Sequence, residues 1–390
     1  MSVTEPPPVA AQYVVTFLKP EMLHLYRQIT ALRAYRPVVF CQKREQPDAF
    51  PFSPIVLLPK PRSHSLRRVW QKQILGQPIT IYRSEARRIL GALHAAQARV
   101  LHIYFGHIGV HLLPLLEIAD LPIVVSFHGA DAQIDLHKPA HLIRTRRMFD
   151  RATLLLVRSQ SIAARLVSIG ADESKIRVHR TGIPLQEITF APRSAPPDGS
   201  WHWVQACRLI PKKGLITTLQ AFAEFRRAFP LARLTIAGEG PQLDELRALA
   251  ATLEVSGHVS FAGFLGQAAL RKLFSEAHLF VHPSELTAEG DQEGVPNSML
   301  EAMASGLPVA ATRHGGIPEA VQHGVSGVLV AERGSQALAK EVLELVREPA
   351  RFAAMSRAAH EMVRTDFDLA AQARVLEGHY TEAIRLASPR

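Results

Sequence analysis

Glu293-Gly-Val-Pro-Asn-Ser-Met-Leu-Glu301 sets two carboxylates eight residues apart, with the turn-forming Gly294-Val295-Pro296-Asn297 just after the first. The second falls inside an amphipathic run, Ser298-Met-Leu-Glu-Ala-Met-Ala304. Proline is favoured at the first helical position and glycine lets a backbone approach a ligand, so a loop should open into a helix at about Pro296. The unpaired N–H groups and positive dipole end of that helix would face whatever the loop cups, which suits an anion such as a diphosphate. Two hydroxyl-accepting carboxylates beside a phosphate cradle fit a nucleotide-sugar, one for the hexose and one for the ribose. The spacing by itself also fits two surface glutamates on an ordinary helix, so it needs a partner.

Cys207-Arg208-Leu-Ile-Pro-Lys212-Lys213-Gly214 supplies one. Trp203-Val-Gln-Ala-Cys207 reads as a buried strand and Leu215 to Phe229 carries helical periodicity. Arg208 and Lys213 therefore occupy a strand-to-helix loop, where ligands gather at the carboxyl ends of a parallel sheet. A planar guanidinium and a mobile ammonium together can neutralise a departing diphosphate.

Short β-branched apolar runs alternate with longer helical ones along the chain, the sign of doubly wound α/β folding. In the first half Tyr13-Val-Val-Thr-Phe17, Pro37 to Phe40, Val100 to Tyr104, Ile123 to Phe127, Thr153 to Val157 and Ile176 to His179 read as strands. Helical stretches lie near Met22 to Tyr35, Thr80 to Ala96, His107 to Ala119, Ala140 to Asp150 and Ser159 to Ile169. Ala191-Pro-Arg-Ser-Ala-Pro-Pro-Asp-Gly-Ser200 lacks periodicity and reads as a linker. Strands near Val204, Leu234, Val259, Leu279, Val309 and Val328 then repeat the alternation, and the tail from Leu338 to Ala387 is helical. A chain of 390 residues is too long for one ordinary core. The expected division is an N-terminal domain over 1–188, a linker over 189–200 and a C-terminal domain over 201–365.

Charge is unevenly placed: residues 1–188 hold 25 Lys+Arg against 13 Asp+Glu, and the remainder 20 against 22. The excess gathers at Arg62, Arg67, Arg68 and Lys72, at Arg83, Arg87 and Arg88, and at Arg144, Arg146, Arg147 and Arg151. Such asymmetry points to an anionic partner for the first domain, or to solvated helix faces. Phospholipid headgroups and a lipid-linked diphosphate acceptor are the candidates; nucleic acid is not expected, because no recognition helix or stacking sheet accompanies the charge. Two cysteines, Cys41 and Cys207, are too few to staple the chain and fit a reducing compartment. No signal-peptide pattern opens the sequence, and no run of eighteen uncharged apolar residues occurs. A cytoplasmic protein, with peripheral contact at the inner membrane face through its basic domain, is the expectation. No strand runs into G-x-G-x-x-G, which argues against an NAD-type oxidoreductase.

From Arg208 to Glu319 the chain resembles the family-4 retaining glycosyltransferases of the GT-B fold. The motifs that carry the resemblance are Arg208 to Lys213-Gly214, Leu234-Thr-Ile-Ala-Gly-Glu-Gly-Pro241, Val259-Ser-Phe-Ala-Gly-Phe264 and Val281-His-Pro-Ser284. Glu293 to Glu301, Ala302-Met-Ala-Ser-Gly-Leu-Pro-Val309 and Gly315-Gly-Ile-Pro-Glu319 continue it. Tyr104-Phe-Gly106 and Phe127-His-Gly-Ala-Asp131 extend it into the first half. The variant Glu289-Gly-Asp-Gln-Glu-Gly-Val-Pro-Asn297 is similar to the bacterial exopolysaccharide and colanic-acid-type branch.

The resemblance implies two Rossmann-like domains facing across a cleft, with the chain's end, 366–390, returning to the first domain. It implies that Glu293 binds hydroxyls of the donor sugar and Glu301 those of the ribose, and that Arg208 and Lys213 hold the phosphates. Gly294, Val295, Asn297 and Ser298 would support sugar and phosphates, while Leu265 lies beside the nucleobase. His128 would line the site by the reacting sugar, its carbonyl or ring stabilising charge at the anomeric centre. Asp131 is either an N-cap or an acceptor-positioning group, and His107 is a candidate acceptor contact. No fixed role attaches to Asp291. The implied activity is metal-independent transfer, with retention, from a UDP- or GDP-sugar to a lipid-linked or oligosaccharide acceptor. One departure is the loop after the first strand, Leu18-Lys19-Pro20-Glu21-Met22, which lacks the glycines many members carry there. A non-catalytic nucleotide-sugar-binding subunit is the alternative that this departure leaves open.

Overall fold

The structure, a computed structural model, describes residues 6–19, 22–61, 64–74, 76–129, 131, 138–288 and 290–387, without the side chains of 64, 65, 72 and 73. Two compact units result, one running to Gly182 and resuming at Leu369, the other spanning Ile183–Asp368.

In the first unit seven parallel strands form one sheet: β1 (Val9–Tyr13), β2 (Arg36–Cys41), β3 (Ile55–Leu57), β4 (Ala98–Tyr104), β5 (Ile123–Phe127), β6 (Leu154–Val157) and β7 (Ile176–Val178). Their spatial order is β3-β2-β1-β4-β5-β6-β7. β1, β5 and β6 are buried along their whole length, as strands covered by helices on both faces must be. The first strand is Val9–Tyr13 rather than Tyr13–Phe17. The small Ala10 and Ala11 sit between β2 and β4 and pair with both, so ladders on two sides outweigh the β-branched propensity of the residues that follow. Thr16–Phe17 instead pairs with Lys43–Arg44 in a separate two-stranded piece.

The expected helix over His107 to Ala119 is two short ones, Gly106–His111 and Leu113–Leu116. Met22 to Tyr35 shortens to Leu23–Thr30. A helical segment that the sequence pattern does not announce, His64–Arg68 continuing as Val69–Ile74, precedes the helix Arg83–Ala95. Several arginines of the basic clusters are engaged by partners within the unit. Arg67 donates to Thr80 Oγ1 and the Ile81 carbonyl and lies 3.7 Å over the Tyr82 ring. Arg146 donates to the Ile169 carbonyl, and Arg147 pairs with Glu117. Part of the charge excess is therefore structural; Arg62 and the Lys72 side chain lie outside the described atoms.

The second unit repeats the architecture with β8 (His202–Ala206), β9 (Arg233–Ala237), β10 (Val259–Gly263), β11 (Leu279–His282), β12 (Val309–Thr312) and β13 (Gly327–Val330). The order is β10-β9-β8-β11-β12-β13, parallel throughout. In both sheets the chain reverses its winding direction between the first and fourth strands, the topological switch point at which doubly wound sheets bind ligands. The unit's core gathers Trp203, Phe222, Phe225 and Leu279 on one side of the sheet and Phe280, Met299, Met303 and Val309 on the other.

The stretch 189–200 is not a free linker. Its Arg193 is buried, with the guanidinium donating to the carbonyls of Phe274 and Ala277 at the carboxyl end of the helix Gln267–Glu276. Arg193 N–H also donates to Ser356 Oγ. A cation that satisfies orphan carbonyls at a helix end anchors a segment that carries no periodicity of its own. The boundaries accordingly fall at 182/183 and 368/369 rather than at 188 and 366.

The helix Leu369–Ala387 packs on the first unit. Glu377, nearly buried, accepts the backbone N–H groups of Arg33, Ala34 and Tyr35. Tyr380, fully buried, reaches His102 Nδ1 at 2.7 Å and donates to Gln12 Oε1 at 3.2 Å. Ordinary hydrophobic periodicity carries none of these contacts. Glu377→Ala should strip three N–H groups of their acceptor and lower unfolding stability by about 1–3 kcal/mol in urea titrations; an unchanged midpoint would show that the helix is held by its apolar face alone.

Candidate active site

The second unit brings the two sequence constellations together at its switch point. β8 ends at Ala206 and feeds the loop carrying Arg208 and Lys213; the neighbouring β11 ends at His282 and feeds the loop carrying Glu293. Lys213 is fixed through its backbone. Its carbonyl accepts Gln205 Nε2 at 2.8 Å, and Thr218 Oγ1 holds the same Gln205 at 2.7 Å. Gly214 follows with φ +62°, and a Cβ there would meet the Pro283 carbonyl oxygen at 1.8 Å, so glycine lets the two loops touch.

Across that contact Lys213 Nζ pairs with a Glu293 carboxylate oxygen, both largely buried. Lys212, also buried, pairs with Asp291 at 3.0 Å. Asp291 thus has a definite place: it ties the Glu293 loop to the basic loop, and its N–H donates to Thr287 Oγ1 within the turn. Its alternation with Glu293, matching the adjacent lysines, is the signal in the sequence that could have found it. Burial pushes the Glu293 carboxyl up, but the ammoniums of Lys213 and Lys212 outweigh it and hold the pKa at about 2. Behind the pair His282 is fully buried, and burial followed by Lys213 lowers its pKa to about 3. Neither of its ring nitrogens has a hydrogen-bond partner among the described residues.

The helix anticipated at Pro296 runs Asn297–Ala304, with Pro296 as its N-cap rather than its first residue. No side chain caps it, and Ser298 Oγ donates to the Ala206 carbonyl at 2.6 Å, holding the helix start against the end of β8. Glu301 is buried on this helix. Gly294 is buried, while Val295, Asn297 and Ser298 are half-buried along the entry to the helix. Arg208 is exposed on the same loop as Lys213. Leu265 lies just beyond the edge strand β10, two strands from the switch point, and packs against the core. Glu289 lies outside the described residues.

The remaining candidates belong to the first unit. His128 follows β5; its Nε2 lies 2.9 Å from Ser126 Oγ and its ring 4.8 Å from that of Phe105. Burial, then the nearby Arg158 guanidinium, hold its imidazole well below the ordinary range. Asp131 accepts the N–H groups of His128 at 2.8 Å, Gly129 at 2.9 Å and Gly106 at 3.0 Å. Of the two readings, these contacts carry the structural one: Asp131 closes the turn after β5 and accepts an N–H at the start of the helix Gly106–His111. His107 and Asp131 line a cavity of about 490 Å³ in this unit, with Lys60, Arg68, Lys138 and His141 also on its wall. Of the loop 18–22, Pro20 and Glu21 lie outside the described residues.

With this geometry in view, comparison with known proteins is specific. Residues 188–362 match the family described as Glycosyl transferases group 1, and residues 22–187 match Glycosyltransferase Family 4. The chain is 33% identical over 276 residues to a putative colanic acid biosynthesis glycosyltransferase of Salmonella typhimurium, covering 69% of this chain and 68% of that one. It is 33% identical over 273 residues to the amylovoran biosynthesis glycosyltransferase of Erwinia amylovora, covering 70% and 67%. The crystal structure of Anabaena HepE in complex with UDP and glucose superposes with a TM-score of 0.74 at 19% identity, over 95% of this chain and 99% of that one. The chain belongs to glycosyltransferase family 4 and has its GT-B fold of two Rossmann-like domains. It is a glycosyltransferase related to enzymes of exopolysaccharide synthesis.

A carboxylate whose pKa is depressed on folding stabilises the native state above its unfolded pKa and loses that contribution as pH falls through the folded value. Wild-type stability should therefore exceed that of Glu293→Gln at neutral pH, and the gap should close between about pH 4.5 and pH 2. Urea unfolding at a series of pH values checks this; parallel curves would mean that the Lys213–Glu293 pair contributes nothing to folding.

Proposed function

We propose that the chain transfers a sugar, with retention, from a UDP- or GDP-linked donor to a lipid-linked or oligosaccharide acceptor during exopolysaccharide assembly. The observation that carries this reading is the buried Lys213–Glu293 pair beside a helix start that no side chain caps. Lys213, Arg208 and the N–H groups of Asn297, Ser298 and Met299 form one positive locus for a diphosphate. Glu293 at its rim accepts hydroxyls of the sugar, and Glu301 takes those of the ribose. In the transfer the bond between the anomeric carbon and the diphosphate oxygen breaks. The acceptor hydroxyl attacks on the same face, and its proton passes to the departing phosphate oxygen. Charge on the leaving group is met by Arg208, Lys213 and the helix end, so no metal is called for. For His128, in the first unit, the family resemblance implies a role at the anomeric centre, which its imidazole, held well below the usual range, would fill with a lone pair or its carbonyl rather than a positive charge. UDP in HepE supports a nucleotide-linked donor.

Hydrolysis of UDP- and GDP-sugars without acceptor is the direct assay. Lys213→Ala and Glu293→Ala should each release nucleotide about 10²–10³ times more slowly than wild type while melting as folded proteins, and EDTA should leave the wild-type rate unchanged. Wild-type rates in both variants would remove the assignment.

On the acceptor side, the cavity bearing Lys60, Arg68 and Lys138 suits a phosphate-bearing acceptor. Leu66, Trp70 and Ile74, four residues apart on one helical stripe, are 75%, 57% and 60% exposed, with Arg68 exposed beside them. An apolar stripe with an aromatic and a cation fits the surface of an anionic bilayer. No helix among the described residues is long and apolar enough to cross one. Replacing Leu66, Trp70 and Ile74 by serine should abolish sedimentation with phosphatidylglycerol vesicles and leave the hydrolysis rate intact. Undiminished binding by the triple variant would rule this surface out.

A further inference from the structure

The Glu293 side chain can reach a sugar only if the backbone that carries it is held, and the structure holds it by means that no sequence motif assigns. The Glu293 N–H donates to His314 Nε2 at 2.9 Å. His314 Nδ1 lies 2.7 Å from Glu332 Oε1, and the other Glu332 oxygen accepts the Leu286 N–H at 2.8 Å. A backbone amide can only donate and a carboxylate here only accepts, so the imidazole must carry its proton on Nδ1 and offer a bare Nε2. Glu332 is what fixes that tautomer. The His314 ring is 2% exposed at its side chain, so water is not at hand to replace either bond.

The neighbouring contacts point the same way. Gly315 has φ +54°, and a Cβ there would stand 2.0 Å from the Glu293 carbonyl oxygen. The Glu293 peptide is therefore gripped at its N–H by one residue and closed over at its C=O by the next. Arg333 Nη2 donates to the Leu286 carbonyl at 3.0 Å, and its Nε lies 3.5 Å from Glu285. Glu332 and Arg333 thus pin the loop near its start through Leu286 and Glu285, while His314 pins it at Glu293. The Lys212–Asp291 pair holds the middle.

We infer that His314 and Glu332 form a positioning dyad for the known reaction: Glu332 sets the His314 tautomer, and His314 sets the backbone that aims Glu293 at the donor sugar. The inference rests on the reading of Glu293 as the residue that binds the sugar. Neither residue touches substrate in this account; they act through Glu293. Removing the Nε2 acceptor leaves a buried N–H unsatisfied and frees the end of the loop. Amidating Glu332 leaves one oxygen for two donors. The ring's proton then moves to Nε2, where it opposes the Glu293 N–H, or Leu286 loses its acceptor.

The consequence is selective. A misplaced Glu293 weakens what depends on the sugar and spares what depends on the nucleotide diphosphate, which is held by Arg208, Lys213 and the helix start. The experiment uses the full chain, with UDP and GDP as binding probes and UDP-glucose and GDP-mannose as hydrolysis probes. His314→Leu and Glu332→Gln should each lower the hydrolysis rate about 10- to 100-fold, the size of one unsatisfied buried donor. Nucleoside diphosphate affinity should stay within about twofold of wild type. His314→Gln, whose carboxamide oxygen can stand where Nε2 stands, should recover most of the loss. Wild-type hydrolysis in His314→Leu overturns the inference. So does a parallel fall in nucleotide affinity, which would make the role merely structural, and so does failure of His314→Gln to do better than His314→Leu. Glu293→Gln, run alongside, separates the two readings: if it too hydrolyses normally, the role of Glu293 has failed; if it is slow while His314→Leu is normal, only the dyad has.

Discussion

A largely buried ammonium and a largely buried carboxylate, Lys213 and Glu293, join two loops that leave adjacent strands of one parallel sheet. Either charge left alone in that place would be costly, because an unpaired ion away from water loses its hydration. Their pairing draws the Glu293 turn against the basic loop, and the helix Asn297–Ala304 opens just after that turn. The surrounding structure serves that juxtaposition. The glycine at 214 lets the loops meet, Gln205 holds the Lys213 carbonyl, and Ser298 ties the helix to the end of β8. The order of strands makes it possible, since only at the switch point do two neighbouring strands send their following segments to opposite faces and leave a crevice.

Much of this was written in the sequence. Alternating β-branched and helical runs placed every strand of the second sheet, because parallel strands covered on both faces have no choice but to be apolar. The spacing from Glu293 to Glu301, with proline and glycine between, announced a loop entering a helix. Arg208 and Lys213 were legible as residues of a strand-to-helix loop for the same reason.

What was not legible depends on tertiary contact. Val9–Tyr13 is a strand because two neighbours claim it, although Tyr13–Phe17 has the stronger intrinsic preference. The segment 189–200 looks like a linker by composition, yet one arginine buried among helix-end carbonyls makes it part of the second unit. Asp291 carried no motif role and proves to be the partner of Lys212. Histidine is common in this chain, so nothing in the sequence marks His314 apart from the others; its importance appears only when Glu293 and Glu332 are seen on either side of its ring. Asp131 likewise could be read as a cap or as a ligand contact, and three backbone N–H groups converging on it show how one carboxylate organises a whole turn.

Family membership gives the reaction class, and the geometry says how this chain would perform it: a diphosphate neutralised by cations and helix end, with the sugar presented to a carboxylate aimed from behind. The most direct test is a crystal structure of the full chain grown with UDP or GDP. Diphosphate oxygens should lie within hydrogen-bonding distance of Lys213 Nζ and of the N–H groups that open the helix at Asn297. Nucleotide density bound elsewhere on the molecule, with Lys213 and that helix start untouched, would contradict it.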